Sequence, residues 1–150
     1  MADLKNRLRA DLTSAMKTRD ELRTATLRMV LAAVSAEEVS GKEARELSDD
    51  EVLAVLRREA KKRREAAEAF AGAGRAQQAE REDAEGGVLA AYLPAQLDDA
   101  DLAALVADAV TRTGASGMRD MGKVMGAAQG AVAGRADGAR VAAEVRRQLG

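Results

Sequence analysis

The chain has 150 residues, a formal net charge of −1, one proline, and neither cysteine nor histidine. The missing thiols and imidazoles exclude thiol chemistry, imidazole catalysis and the common zinc sites, and the near-neutral balance leaves nucleic-acid binding to local patches. With aromatic residues at 1% and an alanine-rich apolar set at 47%, helices are favoured over a large sheet, around a thin core of Leu, Val, Met and Ala.

The opening MADLKNRLRADL has charges every few residues and lacks the apolar centre of a secretory leader. No run approaches about eighteen uncharged apolar residues, so a cytoplasmic protein without membrane contact is expected. Leu4, Leu8, Leu12 and Met16 recur at i+4 and predict a first helix with a narrow apolar stripe. A break near Thr18 to Asp20 precedes a second helix with Leu22, Met29, Val30, Ala33 and Val34 inward, stopped by Gly41. LSDDEV, Leu47 to Val52, is a helix start: Ser48 caps, Glu51 closes a capping box, and Leu47 staples to Val52. Val52, Val55, Leu56, Ala66 and Phe70 then share one face, and Gly72 and Gly74 end the helix. The fourth segment, about Arg75 to Leu93, contains Gly86 and Gly87, which suggest a hinge or a helix broken in two.

Pro94 marks the main boundary. LDDADL repeats the start signal, with Leu97 and Leu102 as staple, Asp98 as cap and Asp101 in the first turn. Leu102, Leu105, Val106, Ala109 and Val110 face inward, and Gly114 stops this fifth helix. MRDMGKVMGAAQGAVAGRADG, residues 118 to 138, supplies a sixth, and Asp137 caps a seventh with Val141, Val145 and Leu149 inward. The expected fold is all-α. An N-terminal helical lobe of about four helices occupies residues 1–93, and a smaller C-terminal three-helix lobe occupies residues 97–150.

Gly122, Gly126, Gly130 and Gly134 fall at every fourth position. Each interior glycine costs a helix about 0.5–1 kcal/mol relative to alanine, so packing or a bound partner should compensate. At about 100° per residue, the first three glycines share a face with Arg119 and Lys123. Met118, Met121, Met125, Ala128 and Val132 cluster on the other side. One reading is close approach by a neighbouring helix. The other is a smooth floor for an RNA backbone, with Arg119, Gly122, Lys123, Gly126, Gly130 and Arg135 as the candidate contacts. Arg135 lies in GRADG, Gly134 to Gly138, where another helix begins and free N–H groups favour an anion. Without aromatic residues nearby, stacking of single-stranded bases is not expected.

The run RREAKKRR puts Arg57, Arg58, Lys61, Lys62 and Arg64 opposite the Val52–Leu56–Phe70 stripe. It reads as a solvated face, or else as a secondary platform for phosphates. Glu59 and Arg63 project onto the apolar side at i, i+4, and are expected to pair. The acidic EREDAE, Glu80 to Glu85, lacks the ligand alternation and turn glycine of a calcium loop. It reads as a solvated face that neutralises the basic run, no two of its carboxylates stand out for acid–base work, and no catalytic residue, metal or cofactor is assigned.

YLPAQL (Tyr92 to Leu97), DMGKVMG (Asp120 to Gly126) and GRADG, together with ATLRMVLAAV (Ala25 to Val34), resemble the GatB/YqeY family. These are small bacterial proteins related to the tail of the B subunit of tRNA-dependent amidotransferase, and the resemblance covers essentially the whole chain. It implies an all-helical fold and, because the related tail contacts tRNA away from the acceptor end, a non-catalytic tRNA-binding accessory role. It also implies an alternative, a helical adaptor for an amidotransferase subunit or an aminoacyl-tRNA synthetase. A third reading, a carbon–nitrogen ligase with glutamine as amido donor, follows only from association with that complex. These residues leave no room for its catalytic domain or ATP site. One departure is Gly86–Gly87, where the family pattern has better helix formers.

Overall fold

A computed structural model of the chain describes residues 3–150. Among them are seven α-helices and one 3-10 turn, and no strand. The helices are α1 (Asp3–Lys17), α2 (Glu21–Glu38), α3 (Asp49–Gly72), α4 (Ala76–Ala90), α5 (Asp99–Thr113), α6 (Met121–Val132) and α7 (Gly138–Leu149). The 3-10 turn Met118–Asp120 leads directly into α6. The all-α expectation holds. The chain divides between Leu93 and Pro94 into two compact units.

In the N-terminal unit, α3 packs along α4, and α1, α2 and α3 close around a common core. Leu8, Leu27, Val30, Val34, Leu47, Val52, Leu56 and Leu89 are closed to solvent there. The capping box forms as expected: Ser48 Oγ accepts from Glu51 N–H, and the Glu51 carboxylate accepts from Ser48 N–H. Both staple residues, Leu47 and Val52, lie in the core.

The apolar stripes sit differently from expectation in three places. Met16 is 43% exposed, and Ala15 takes the buried position at the end of α1. The cause is geometric, since a row at i+4 drifts about 40° per step and has left the core face after three steps. Met29 is also exposed, because Leu27, Val30 and Val34 define the inward face of α2. Ala66 and Phe70 are only half-buried, and Ala67 is the closed residue near the end of α3.

The expected hinge or break at Gly86–Gly87 is overturned, because α4 runs unbroken through both glycines. A Cβ at Gly86 would make only ordinary contact with Arg63 Cβ at 3.9 Å, and one at Gly87 would meet nothing within 4 Å. Packing of α4 along α3 sustains the helix where propensity alone would weaken it.

In the C-terminal unit, α5, α6 and α7 each pack on the other two. Leu102, Val106, Ala109, Val124, Ala128, Val132, Ala136, Val141 and Val145 form their core. Asp98 caps α5 by accepting from Asp101 N–H at 2.7 Å, and Gly114 ends it in the left-handed region at φ +66°. Leu97 N–H donates to Arg135 O at 2.8 Å, tying the start of α5 to the turn between α6 and α7.

Candidate functional site

The sixth helix begins with a device that the sequence reading did not include. Asp120 accepts from Ser116 N–H at 3.0 Å and folds the 3-10 turn against the loop before it. That bond, with Lys123 and Arg119 close by, holds the Asp120 carboxyl below its usual range. Asp120 therefore stands as an anion between the two cations of the candidate face.

From Met121 onward the helix is regular, and Val124, Ala128 and Val132 point into the core. Ala128 and Val132 are buried with Val124, and Met121 and Met125 pack against them, so the expected inward side holds except at Met118, which is 46% exposed. Met118 falls in the 3-10 turn, where the helical projection no longer applies. With Gly122 set at zero, the three core residues centre near 240° at about 100° per residue. Gly126 and Gly130 then lie near 40° and 80°, directly opposite the core.

Gly122, Gly126 and Gly130 are exposed, and a Cβ built on any of them would meet nothing within 4 Å. Among the described residues of the C-terminal unit, neither α5 nor α7 therefore uses the glycines for close approach. Close packing of α6 within its own three-helix unit does not explain the glycines, and their face is open to a neighbour. Gly134 stands apart from the stripe, since α6 stops at Val132 and Gly134 turns the chain at φ +78°.

Arg119 and Lys123 are exposed, and neither forms an ion pair among the described residues. Arg135 is placed differently. Its Nε donates to Val132 O at 3.1 Å and its Nη2 to Ala131 O at 3.2 Å, so the guanidinium caps the carbonyl end of α6. The twelve residues of α6 separate it from Arg119, and at a rise of about 1.5 Å per residue that helix is about 18 Å long. The start of α7 is likewise occupied, because Asp137 accepts from Ala139 N–H.

The basic run on α3 is engaged with carboxylates. Arg58 reaches Glu37 at 3.5 Å, Lys61 reaches Glu65 at 3.9 Å and Lys62 reaches Glu59 at 3.2 Å. Arg57 is half-buried and Arg64 exposed, and both have interactions of their own. Arg63, beside them, is the most connected. It faces Glu59 at 3.8 Å, Glu82 at 3.8 Å and Glu85 at 3.1 Å, and donates to the Met29 sulfur at 2.9 Å. The expected Glu59–Arg63 pair is present. The acidic run supplies Arg63 with two further carboxylates across the α3–α4 contact.

Sequence reasoning missed a second enclosed ion pair. Lys5 Nζ meets Glu38 Oε1 at 2.7 Å with both side chains nearly closed to solvent, and Leu47 N–H donates to the same carboxylate at 3.1 Å. Its one signal was a lysine wedged between Leu4 and Leu8. Among the described residues no group of acids could hold a metal ion, and no helix is long and apolar enough to cross a membrane.

Residues 5–149 match the family model described as Yqey-like protein. No curated protein matches the chain.

Proposed function

The chain belongs to the Yqey-like protein family, and from that membership we propose that it is a non-catalytic RNA-binding accessory module whose contact surface is the outer face of α6. One observation carries the reading: an exposed glycine stripe, open above every Cβ position, with Lys123 on α6 and Arg119 in the turn just before it, both without ion-pair partners among the described residues. A polyanion lying along this floor would meet backbone at close range, with Arg119 and Lys123 reaching its phosphates. Arg135 enters as a contact at the far end of α6, with two of its donor nitrogens already engaged. The paired α3 run, Arg57, Arg58, Lys61, Lys62 and Arg64, enters as a secondary platform. Of RNAs, tRNA is the first choice, on the likeness of DMGKVMG and GRADG to the amidotransferase tail.

A second reading is favoured by the same open face: the glycines admit a helix of a partner protein, such as an amidotransferase subunit or a synthetase. The glutamine-dependent ligase reading rests on association alone, and no chemical step is derived for it.

The test is a tRNA mobility shift across salt concentrations. In the RNA reading, Gly126→Leu obstructs the floor and weakens binding while stability holds or rises, because leucine is the better helix former. Arg119→Ala with Lys123→Ala flattens the salt dependence by about two phosphate contacts. Unchanged tRNA binding in both variants would sink the RNA reading. Loss of a co-purifying protein from Gly126→Leu would then establish the adaptor.

A further inference from the structure

The turn between α1 and α2 borders a cavity of about 480 Å³, lined by Met16, Arg19, Glu21, Thr24, Ala25 and Arg28. We propose that this cavity binds the phosphate of a small phosphate monoester whose organic group is of nucleotide size. This inference stands apart from the α6 surface and uses residues of the N-terminal unit only.

Charge is the first support. Glu21 is turned toward Arg81, which holds it through two bonds of 2.9 and 3.0 Å and also reaches Glu85 at 3.1 Å. Arg19 and Arg28 form no ion pair among the described residues. The only polar contact of the Arg28 guanidinium among the described residues is the Met16 sulfur at 3.3 Å, a weak acceptor. The lining thus carries two arginines against one glutamate, and the two guanidiniums without ion pairs offer two charge-assisted contacts to a phosphate. The basic run on α3, more obvious in sequence, spreads its cations over carboxylates instead.

Backbone conformation is the second support. Arg19 sits at φ +58°, in the left-handed region that favours glycine. An arginine there strains the turn where glycine would relax it, and the strain leaves a guanidinium on the cavity rim. Thr24 adds a hydroxyl to the lining, and Met16 and Ala25 an apolar wall for the organic group.

The probes are AMP, inorganic phosphate and adenosine, titrated into the full chain and followed by backbone amide shifts. AMP should saturate and shift amides from Met16 to Arg28, phosphate should compete with it, and adenosine should bind much more weakly. Arg28→Gln should weaken AMP binding about tenfold, the loss of one charge-assisted contact. Arg19→Gly should do the same while the melting temperature holds or rises, which separates ligand binding from folding. Lys62→Gln, and the Arg119→Ala/Lys123→Ala variant, should leave AMP affinity unchanged, so this site and the α6 surface succeed or fail separately. A short 5′-phosphorylated RNA that displaces AMP would make an RNA end the source of the phosphate, and failure to displace would make it the free nucleotide. No saturable shift with AMP, or equal affinity in the wild type and both arginine variants, would overturn the proposal.

Discussion

Arg63 shows how one side chain can join elements that sequence places far apart. Its guanidinium is the shared partner of Glu59, Glu82 and Glu85 and touches the Met29 sulfur, so α2, α3 and α4 meet at one cation. Arg63→Ala would leave three carboxylates facing one another in a mostly closed space. A loss of about 2–4 kcal/mol is expected in urea denaturation, with tRNA affinity unchanged. Tyr92 makes a different kind of link. Its hydroxyl donates to Asp11, and Arg7 lies over its ring at 4.8 Å. Burial, with the Asp11 carboxylate beside it, pushes the Tyr92 phenol up to about 12. A raised folded value means that the stabilisation is complete below the unfolded value near 10 and is lost as pH climbs toward 12. Tyr92→Phe should lower stability by about 1–2 kcal/mol at neutral pH and remove that alkaline loss, as denaturation on both sides of pH ~10 would show. The i, i+4 rule exposed the Glu59–Arg63 pair in sequence. The Lys5–Glu38 and Tyr92–Asp11 contacts stayed hidden because they join distant segments, which no local spacing reports.

At the scale of elements, helix starts were the most legible feature. Ser48–Glu51 and Asp98–Asp101 are local chemistry, complete within four residues, and both form as read. Faces were less legible. A row at i+4 winds around the helix, so Met16 and Met29 surfaced where Ala15 and Leu27 were buried. Glycines were read least well, because the same residue marks an end at Gly114, an unbroken interior at Gly86–Gly87 and an open surface at Gly126. Only the neighbours decide, and they come from tertiary packing. The open Cβ positions carry a quantitative consequence. Gly87→Ala and Gly126→Ala introduce a methyl group into empty space inside a helix, so each should raise stability by about 0.5–1 kcal/mol. Gly86→Ala should follow, since its Cβ would only touch Arg63 Cβ at ordinary range. Thermal melts of the three variants check this, and a fall in any of them would mean that its glycine serves the backbone in a second conformation.

Across the whole molecule, two cores share no residue, and they differ in quality. The N-terminal core closes Leu8, Leu27, Leu47, Leu56 and Leu89 completely, whereas the C-terminal one relies on valine and alanine around a single buried leucine, Leu102. Apolar area removed from water sets the hydrophobic stabilisation, so a valine–alanine core in a small unit holds less per residue. The connection between them contains exposed Pro94, Ala95 and Gln96, outside any helix. Proline starts no helix there, and the Asp98 cap begins a fresh one just beyond. We therefore propose that the lobes, 1–93 and 97–150, are separable. Brief proteolysis should cut first between Leu93 and Leu97, and not at Gly86–Gly87, because that pair lies inside an unbroken helix. Both fragments should keep helical circular dichroism, with the C-terminal fragment melting at the lower temperature. A first cut within residues 52–70, or one fragment unfolding as soon as the other is removed, would show instead that the two cores are held up by each other.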